Sequence, residues 1–175
     1  MLFFFILGTF IGSFLNVIIC RTPKNESIVK PRSHCQNCKK IIPIYYNIPI
    51  ISFILLKGSC YNCKEKISYQ YIIVEMLMGL LFILAFDNSS ISQGTLLSIV
   101  FSCLIIISYI DYYYLLIPSL ILYVLLILLI PFSIIYNQSP IQIIMGSSSI
   151  TIYLLVCTLI VGLLKKEMKI LGFGD

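Results

Sequence analysis

Four cysteines and two aspartates are the residues of this sequence whose types and spacing could do chemistry. Cys35-x-x-Cys38 is followed, after 21 residues, by Cys60-x-x-Cys63. Two close thiol pairs suit a tetrahedral zinc ion, each pair wrapping one side of it; a redox or metal-free role is the alternative. Asp111 lies between two apolar runs, and Asp175 closes Gly172-Phe173-Gly174-Asp175, where the sequence stops. Two carboxylates brought together share a proton and titrate as a unit, so that one is a base and the other an acid. Gly172 and Gly174 allow close backbone approach before the aspartate. Alone, that tetrapeptide reads more readily as the exit turn of a helix, and it is the pairing with Asp111 on one face that favours the catalytic reading.

The elements that must position these groups are membrane helices. The chain is 59% apolar and 11% charged, with mean hydropathy +1.02. A soluble domain carries about a quarter charged residues. Apolar stretches fall at about 2–20, 71–86, 96–110, 117–136 and 141–164, each near the roughly 20 residues that cross a bilayer. The second and third are short and borrow flanking residues. The expected fold is an all-α polytopic membrane protein of about five transmembrane helices, with a zinc loop between the first and second. It divides into a first helix (1–20), the four-cysteine zinc loop (21–70) and a four-helix part (71–175). The first stretch lacks the basic start of a cleaved signal peptide.

Charge sets the orientation. Residues 21–70 hold nine of the twelve Lys and Arg, and Lys165, Lys166 and Lys169 are the others. The connections at 87–95 and 137–140 hold none. The positive-inside rule therefore puts the loop and the tail in the cytoplasm and the N-terminus outside. Both Asp111 and Asp175 then reach the cytoplasmic face, with one helical hairpin between them. A reducing cytoplasm also argues against disulfides in the loop.

The loop contains a short repeat. Cys35-Gln36-Asn37-Cys38-Lys39 returns as Cys60-Tyr61-Asn62-Cys63-Lys64, and Ile42 and Tyr46 return as Ile67 and Tyr71. Two such knuckles on one ion predict a pseudo-twofold site. Residues 41–56 are apolar enough to tempt a sixth span, but a crossing there would separate the cysteine pairs. Pro43 and Pro49 also break a regular helix. The stretch is expected to pack on the bilayer surface or on the other helices. His34 reads as a neighbour of the metal site and not a ligand. In the first helix, Gly12, Ser13 and Asn16 suit close helix contacts. Glu75 is an acid inside a span, which makes it a functional candidate. It either pairs with a basic loop residue or serves a binding site.

Taken together, these features resemble the bacterial type IV prepilin leader peptidases, membrane aspartic proteases of the GxGD type. The resemblance rests on Gly12-Ser13-Phe14-Leu15-Asn16-Val17 with Arg21 and Pro23, on Arg32-Ser33-His34-Cys35, and on Asn47-Ile48-Pro49 with Ile50-Ile51-Ser52. It continues through Ile67-Ser68, Tyr71 and Val74-Glu75, then Asp111 and Gly172-x-Gly174-Asp175. Ser119, after Ile117-Pro118, departs from the acid or Asn expected there. The resemblance implies an aspartic endopeptidase in the bacterial cytoplasmic (inner) membrane, with Asp111 and Asp175 catalytic. It would cleave the leader from prepilins or pseudopilins of type IV pili, type II secretion or competence systems. It also implies N-methylation of the new N-terminus with S-adenosylmethionine, Asn16 and Glu75 being candidates for the substrate or methyl-donor site. Zinc, the prepilin and the lipid bilayer are the expected partners, and nucleic acid is not. The family continues past its GxGD motif, so the 175-residue chain is expected to be a C-terminally truncated form, inactive alone. Two other readings fit fewer features: a non-enzymatic membrane scaffold with a structural zinc loop, and an ion-coupled transporter using Asp111 and Glu75.

Overall fold

The computed structural model describes residues 1–116, 118–137, 139, 141 and 145. Among these the regular elements are helical: α1 (Leu2–Arg21), α2 (Ile51–Leu55), α3 (Gln70–Phe86), α4 (Ile91–Tyr114) and α5 (Ser119–Ile135), with single 3₁₀ turns at Thr22–Lys24 and Ile44–Asn47. Two segments, Leu2–Lys24 and Ile91–Tyr114, are long and apolar enough to cross a membrane, and α3 and α5 are shorter apolar helices. The stretch expected at 141–164 lies essentially outside the described residues.

The chain forms two units, Met1–Leu125 and Leu126–Asp175. In the first, α1 lies against α3 along most of its length, and α4 packs on both. The α1–α3 seam is made by small residues. A Cβ added at Gly8 would come within 2.6 Å of the Met78 carbonyl oxygen, and one at Gly12 within 2.8 Å of the Glu75 Cα. Gly8 and Gly12 are one turn apart on one face, the spacing that lets helix backbones meet in a bilayer. Leu15, Ile19, Val74, Met78, Phe82, Ile106 and Ile110 fill the space around the seam.

Helix α4 is longer than the third apolar run, 96–110, predicts. Helix α4 starts at Ile91 because Ser90 and Gln93 form a reciprocal capping box. Those polar residues satisfy the orphan amides of the first turn while lowering the hydropathy that marks a span. Leu115, at φ 52°, ends the helix and returns its N–H to the Asp111 carbonyl.

Arg21, at the end of α1, is buried. Its guanidinium donates to the carbonyls of Ser27 (2.7 Å), Ile28 (3.3 Å) and Pro31 (2.8 Å). The chain leaving the first helix is thus wrapped around one cation before it reaches Cys35.

Candidate metal centre and carboxylate sites

The two cysteine knuckles have the same backbone. Cys35 N–H donates to Lys40 O and Lys39 N–H returns to Cys35 O; Cys60 N–H donates to Glu65 O and Lys64 N–H returns to Cys60 O. Lys39 and Lys64 both take positive φ, 57° and 61°. His34 bridges Ile41 as Ser59 bridges Lys66. Each of these contacts in one knuckle recurs 25 residues later in the other, as the repeat predicts.

The knuckles face each other. The sulfurs of Cys35, Cys38, Cys60 and Cys63 all lie within 4.8 Å of one another, and Cys35 Sγ is 3.7 Å from Cys63 Sγ. A tetrahedral zinc with Zn–S of about 2.3 Å needs neighbouring sulfurs about 3.8 Å apart. The described cysteines form no disulfide. His34 turns away, its Nδ1 meeting the Arg32 carbonyl at 3.0 Å.

Electrostatics separate Cys38, Cys60 and Cys63. The Lys40 backbone N–H holds Cys38 down at about 6, and the Cys63 backbone N–H lowers Cys60. At Cys63 the Glu65 backbone N–H pulls downward, but desolvation and three neighbouring sulfurs outweigh it and push the thiol up to about 11. The backbone amides can thus support the first thiolates, and the last needs a cation in the centre. A soft divalent metal supplies that charge, which makes the cluster a fitting zinc site.

Between the knuckles, residues 41–56 do not cross the unit. Pro49 is buried, and Ile50 stands at φ 61° and ψ −53°. The Ile51 N–H returns to the Pro49 carbonyl, closing a γ-turn of the strained, positive-φ kind. The Glu75 carboxylate accepts the Ile50 N–H at 2.7 Å, and the Ser13 side chain lies near the same carboxyl. Asn16, with no exposed surface, donates to the Tyr71 carbonyl at 3.1 Å. Glu75 and Asn16 thus both lie at the α1–α3 seam, and the Glu75 contact is to backbone. Sequence reasoning missed Gly8 and the role of Arg21. The G-x-x-x-G spacing of Gly8 and Gly12 could have found the former.

Asp111 sits in the last turn of α4 and is exposed, in line with the exposed residues Leu104 and Ser108. An open groove of about 600 Å³ runs beside this end of the helix, lined by Lys66, Ser68, Gln70, Tyr109, Tyr112 and Tyr113 among others. The helical period puts Asp111 roughly 150° around α4 from the groove-lining tyrosines. Gly172, Gly174 and Asp175 lie outside the described residues.

The bacterial peptidase A24 N-terminal domain matches residues 6–88, a span that takes in α1, both knuckles and α3. A prepilin leader peptidase/N-methyltransferase of Vibrio cholerae is 34% identical over 190 residues, covering 100% of this chain and 73% of the relative. The protein of that name in Bacillus subtilis is 39% identical over 119 residues, or 67% of this chain and 48% of the relative. The one in Myxococcus xanthus is 49% identical over 80 residues, or 46% of this chain and 24% of the relative. The match thus spans less than half of the last two relatives. No solved structure matches the chain. With the alignment to the Vibrio cholerae protein running its whole length, the chain belongs to the prepilin leader peptidase/N-methyltransferase family.

Proposed function

We propose that the chain is the leader-processing part of a membrane aspartic endopeptidase acting on prepilins or pseudopilins at the cytoplasmic face of the bacterial inner membrane. The observation that carries this reading is the whole-length match to the Vibrio cholerae relative. The position of Asp111 supports it: a carboxylate on the exposed face of an apolar helix, at its end, is open to a second helix.

In the proposed reaction Asp111 and Asp175 share one proton. The ionised member takes a proton from water, whose oxygen attacks the carbonyl carbon of the scissile peptide. The protonated member gives its proton to the carbonyl oxygen. Collapse of the tetrahedral intermediate breaks the C–N bond, and the leaving amine is protonated. Gly172 and Gly174 would let the chain before Asp175 approach closely. The zinc knuckles hold the loop together and take no part in this step.

N-methylation of the new N-terminus is the second proposed activity, with S-adenosylmethionine supplying an electrophilic methyl group. Of the two residues proposed for that site, Asn16 fits better. Its side-chain oxygen is buried with no hydrogen-bond partner, whereas the Glu75 carboxylate is taken up by the Ile50 amide.

The test is co-expression of a version extended past the Gly172–Asp175 motif with a prepilin in membranes lacking other peptidases, reading leader loss by mobility and the new N-terminus by mass. Asp111→Asn and Asp175→Asn are each expected to lower the cleavage rate by about 100-fold or more. Unchanged cleavage in either would remove that aspartate from the mechanism and favour a scaffold role.

A further inference from the structure

The connector between the cysteine pairs has its polarity reversed relative to a soluble loop. In α2, Ser52 is buried and Phe53 turns inward, its ring over Gly58 and 5.8 Å from that of Tyr69. Ile51, Ile54 and Leu55, on the other face, are 54%, 63% and 70% exposed. Just before it, Ile44 and Tyr45 are 74% and 64% exposed. Five large apolar side chains therefore project outward from about a dozen residues of chain, a patch too concentrated to be ordinary surface.

The Glu75–Ile50 bond fixes the depth of this patch. Glu75 is five residues into α3, which starts at Gln70, so its Cα lies about 8 Å along the helix axis from that end. The bond at 2.7 Å brings Ile50 to the same level. On α3, Ile73 and Leu77 flank Glu75 along the helix and are themselves exposed. The apolar patch thus lies at the same level as outward-facing apolar residues of α3, near the N-terminal end of that helix. The chain on either side of it is cationic: Lys39, Lys40, Lys57, Lys64 and Lys66 are all exposed, with Glu65 the one acid among them. Interfacial segments sit about 5–10 Å into the boundary between headgroups and acyl chains, with basic residues above them.

We propose that the connector 44–55 is a lipid-inserting wedge, in which Ile44, Tyr45, Ile51, Ile54 and Leu55 enter the interfacial layer of an anionic bilayer while the two knuckles remain in water. The inference rests on the membrane reading above and names the surface of the loop that meets the lipid. Glu75 is its positioning residue: the carboxylate holds the strained Ile50 turn and so sets how deep the wedge lies. The zinc loop then has two anchors on the bundle, Arg21 at its start and Glu75 in its middle.

The chain contains no tryptophan, so a single one introduced at a chosen position reports alone. Ile54→Trp and Leu55→Trp would each be placed in the full chain in vesicles of mixed anionic and zwitterionic lipid. Gln36→Trp marks the aqueous knuckle and Leu104→Trp the bundle helix α4. At positions 54 and 55 we expect several-fold stronger quenching by lipids brominated near the headgroup than at position 36, together with protection from iodide. Adding Glu75→Ala should shift the position 54 signal toward that of position 36. Bromolipid quenching at 104 with iodide quenching at both 54 and 55 would overturn the wedge and leave the membrane reading standing. Protection at 54 and 55 from both quenchers would also overturn it, in favour of a protein partner or second copy on that face. Loss of bromolipid quenching at 104 would sink the membrane reading, and the wedge with it.

Discussion

The Cys35 and Cys63 sulfurs, from opposite knuckles, stand 3.7 Å apart. That separation is one edge of a zinc–thiolate tetrahedron, and the Cys38 and Cys60 sulfurs lie within the same small cluster. Ion binding should therefore displace protons in an uneven way. With Cys38 held at about 6, its thiol is largely ionised at neutral pH, whereas Cys63 at about 11 keeps its proton. Zinc added to metal-free protein in weak buffer at pH 7 should release the Cys63 proton, and Cys63→Ser should lower the number released. The sign is fixed: Cys38, lowered, regains its proton as pH falls through about 6, so acid should favour metal loss. Equal proton release from wild type and Cys63→Ser would contradict the assignment.

The contacts across the knuckles obey a twofold relation. Asn37 donates to Glu65 Oε2 at 3.3 Å, and Lys40 Nζ donates to Asn62 Oδ1 at 3.0 Å. Asn37 corresponds to Asn62 and Lys40 to Glu65 in the repeat, so each bond is the image of the other. All four of these side chains are exposed, and each bond is worth about 0.5–1 kcal/mol. Asn37→Ala and Asn62→Ala should weaken zinc retention against a chelator by similar, small factors, and the double variant by about their product. A large effect from one alone would show that the two halves of the site are not equivalent.

What could be read from the sequence, and what could not, divides by the range of the interactions. The apolar helices α1, α3 and α5 are visible because hydropathy is local, and the knuckles because Cys-x-x-Cys is a local wrap suited to an ion. The start of α4 is less visible, since its Ser90–Gln93 cap dilutes the apolar signal. The turn at Ile50 is invisible: its partner Glu75 is 25 residues away, and a positive φ at a β-branched residue has no local cause. The same holds for Arg21, whose charge counts toward orientation in the sequence but whose guanidinium is buried under backbone carbonyls. Asp111 is legible only as an acid beside a span, and its pairing with Asp175 stays a proposal.

The α1–α3 seam yields a graded prediction. At Gly12 an added Cβ would lie 2.8 Å from the Glu75 Cα, and at Gly8 2.6 Å from the Met78 carbonyl oxygen. In both cases the obstacle is backbone, which cannot rotate away. Gly12→Ala and Gly8→Ala should each push the helices apart at a cost of about 1–3 kcal/mol, seen as lower thermal stability in detergent. Because Gly12 packs on Glu75 itself, Gly12→Ala should in addition loosen the Ile50 turn and speed proteolysis within residues 44–55. Gly8→Ala, one turn further from the loop, should leave that cleavage rate unchanged. Equal cleavage in the two variants would separate the connector from the seam.

Arg21 supplies the last prediction. A buried guanidinium surrounded by carbonyls is satisfied through its geometry: a planar fork reaching Ser27, Ile28 and Pro31 together. Lysine carries the same charge but cannot span that set from one nitrogen. Arg21→Lys should leave at least one carbonyl unpaired, and Arg21→Met should leave all three, each costing about 1–3 kcal/mol where water does not reach it. The effect should be local. Amide exchange should rise across residues 25–32, more for the Met variant than for the Lys variant, while α3 and α4 keep their protection. The cysteine knuckles, held by their own backbone bonds, should still take up one equivalent of zinc. If the Met variant instead lost metal binding, Arg21 would be holding the knuckles themselves and not only the chain that leads into them.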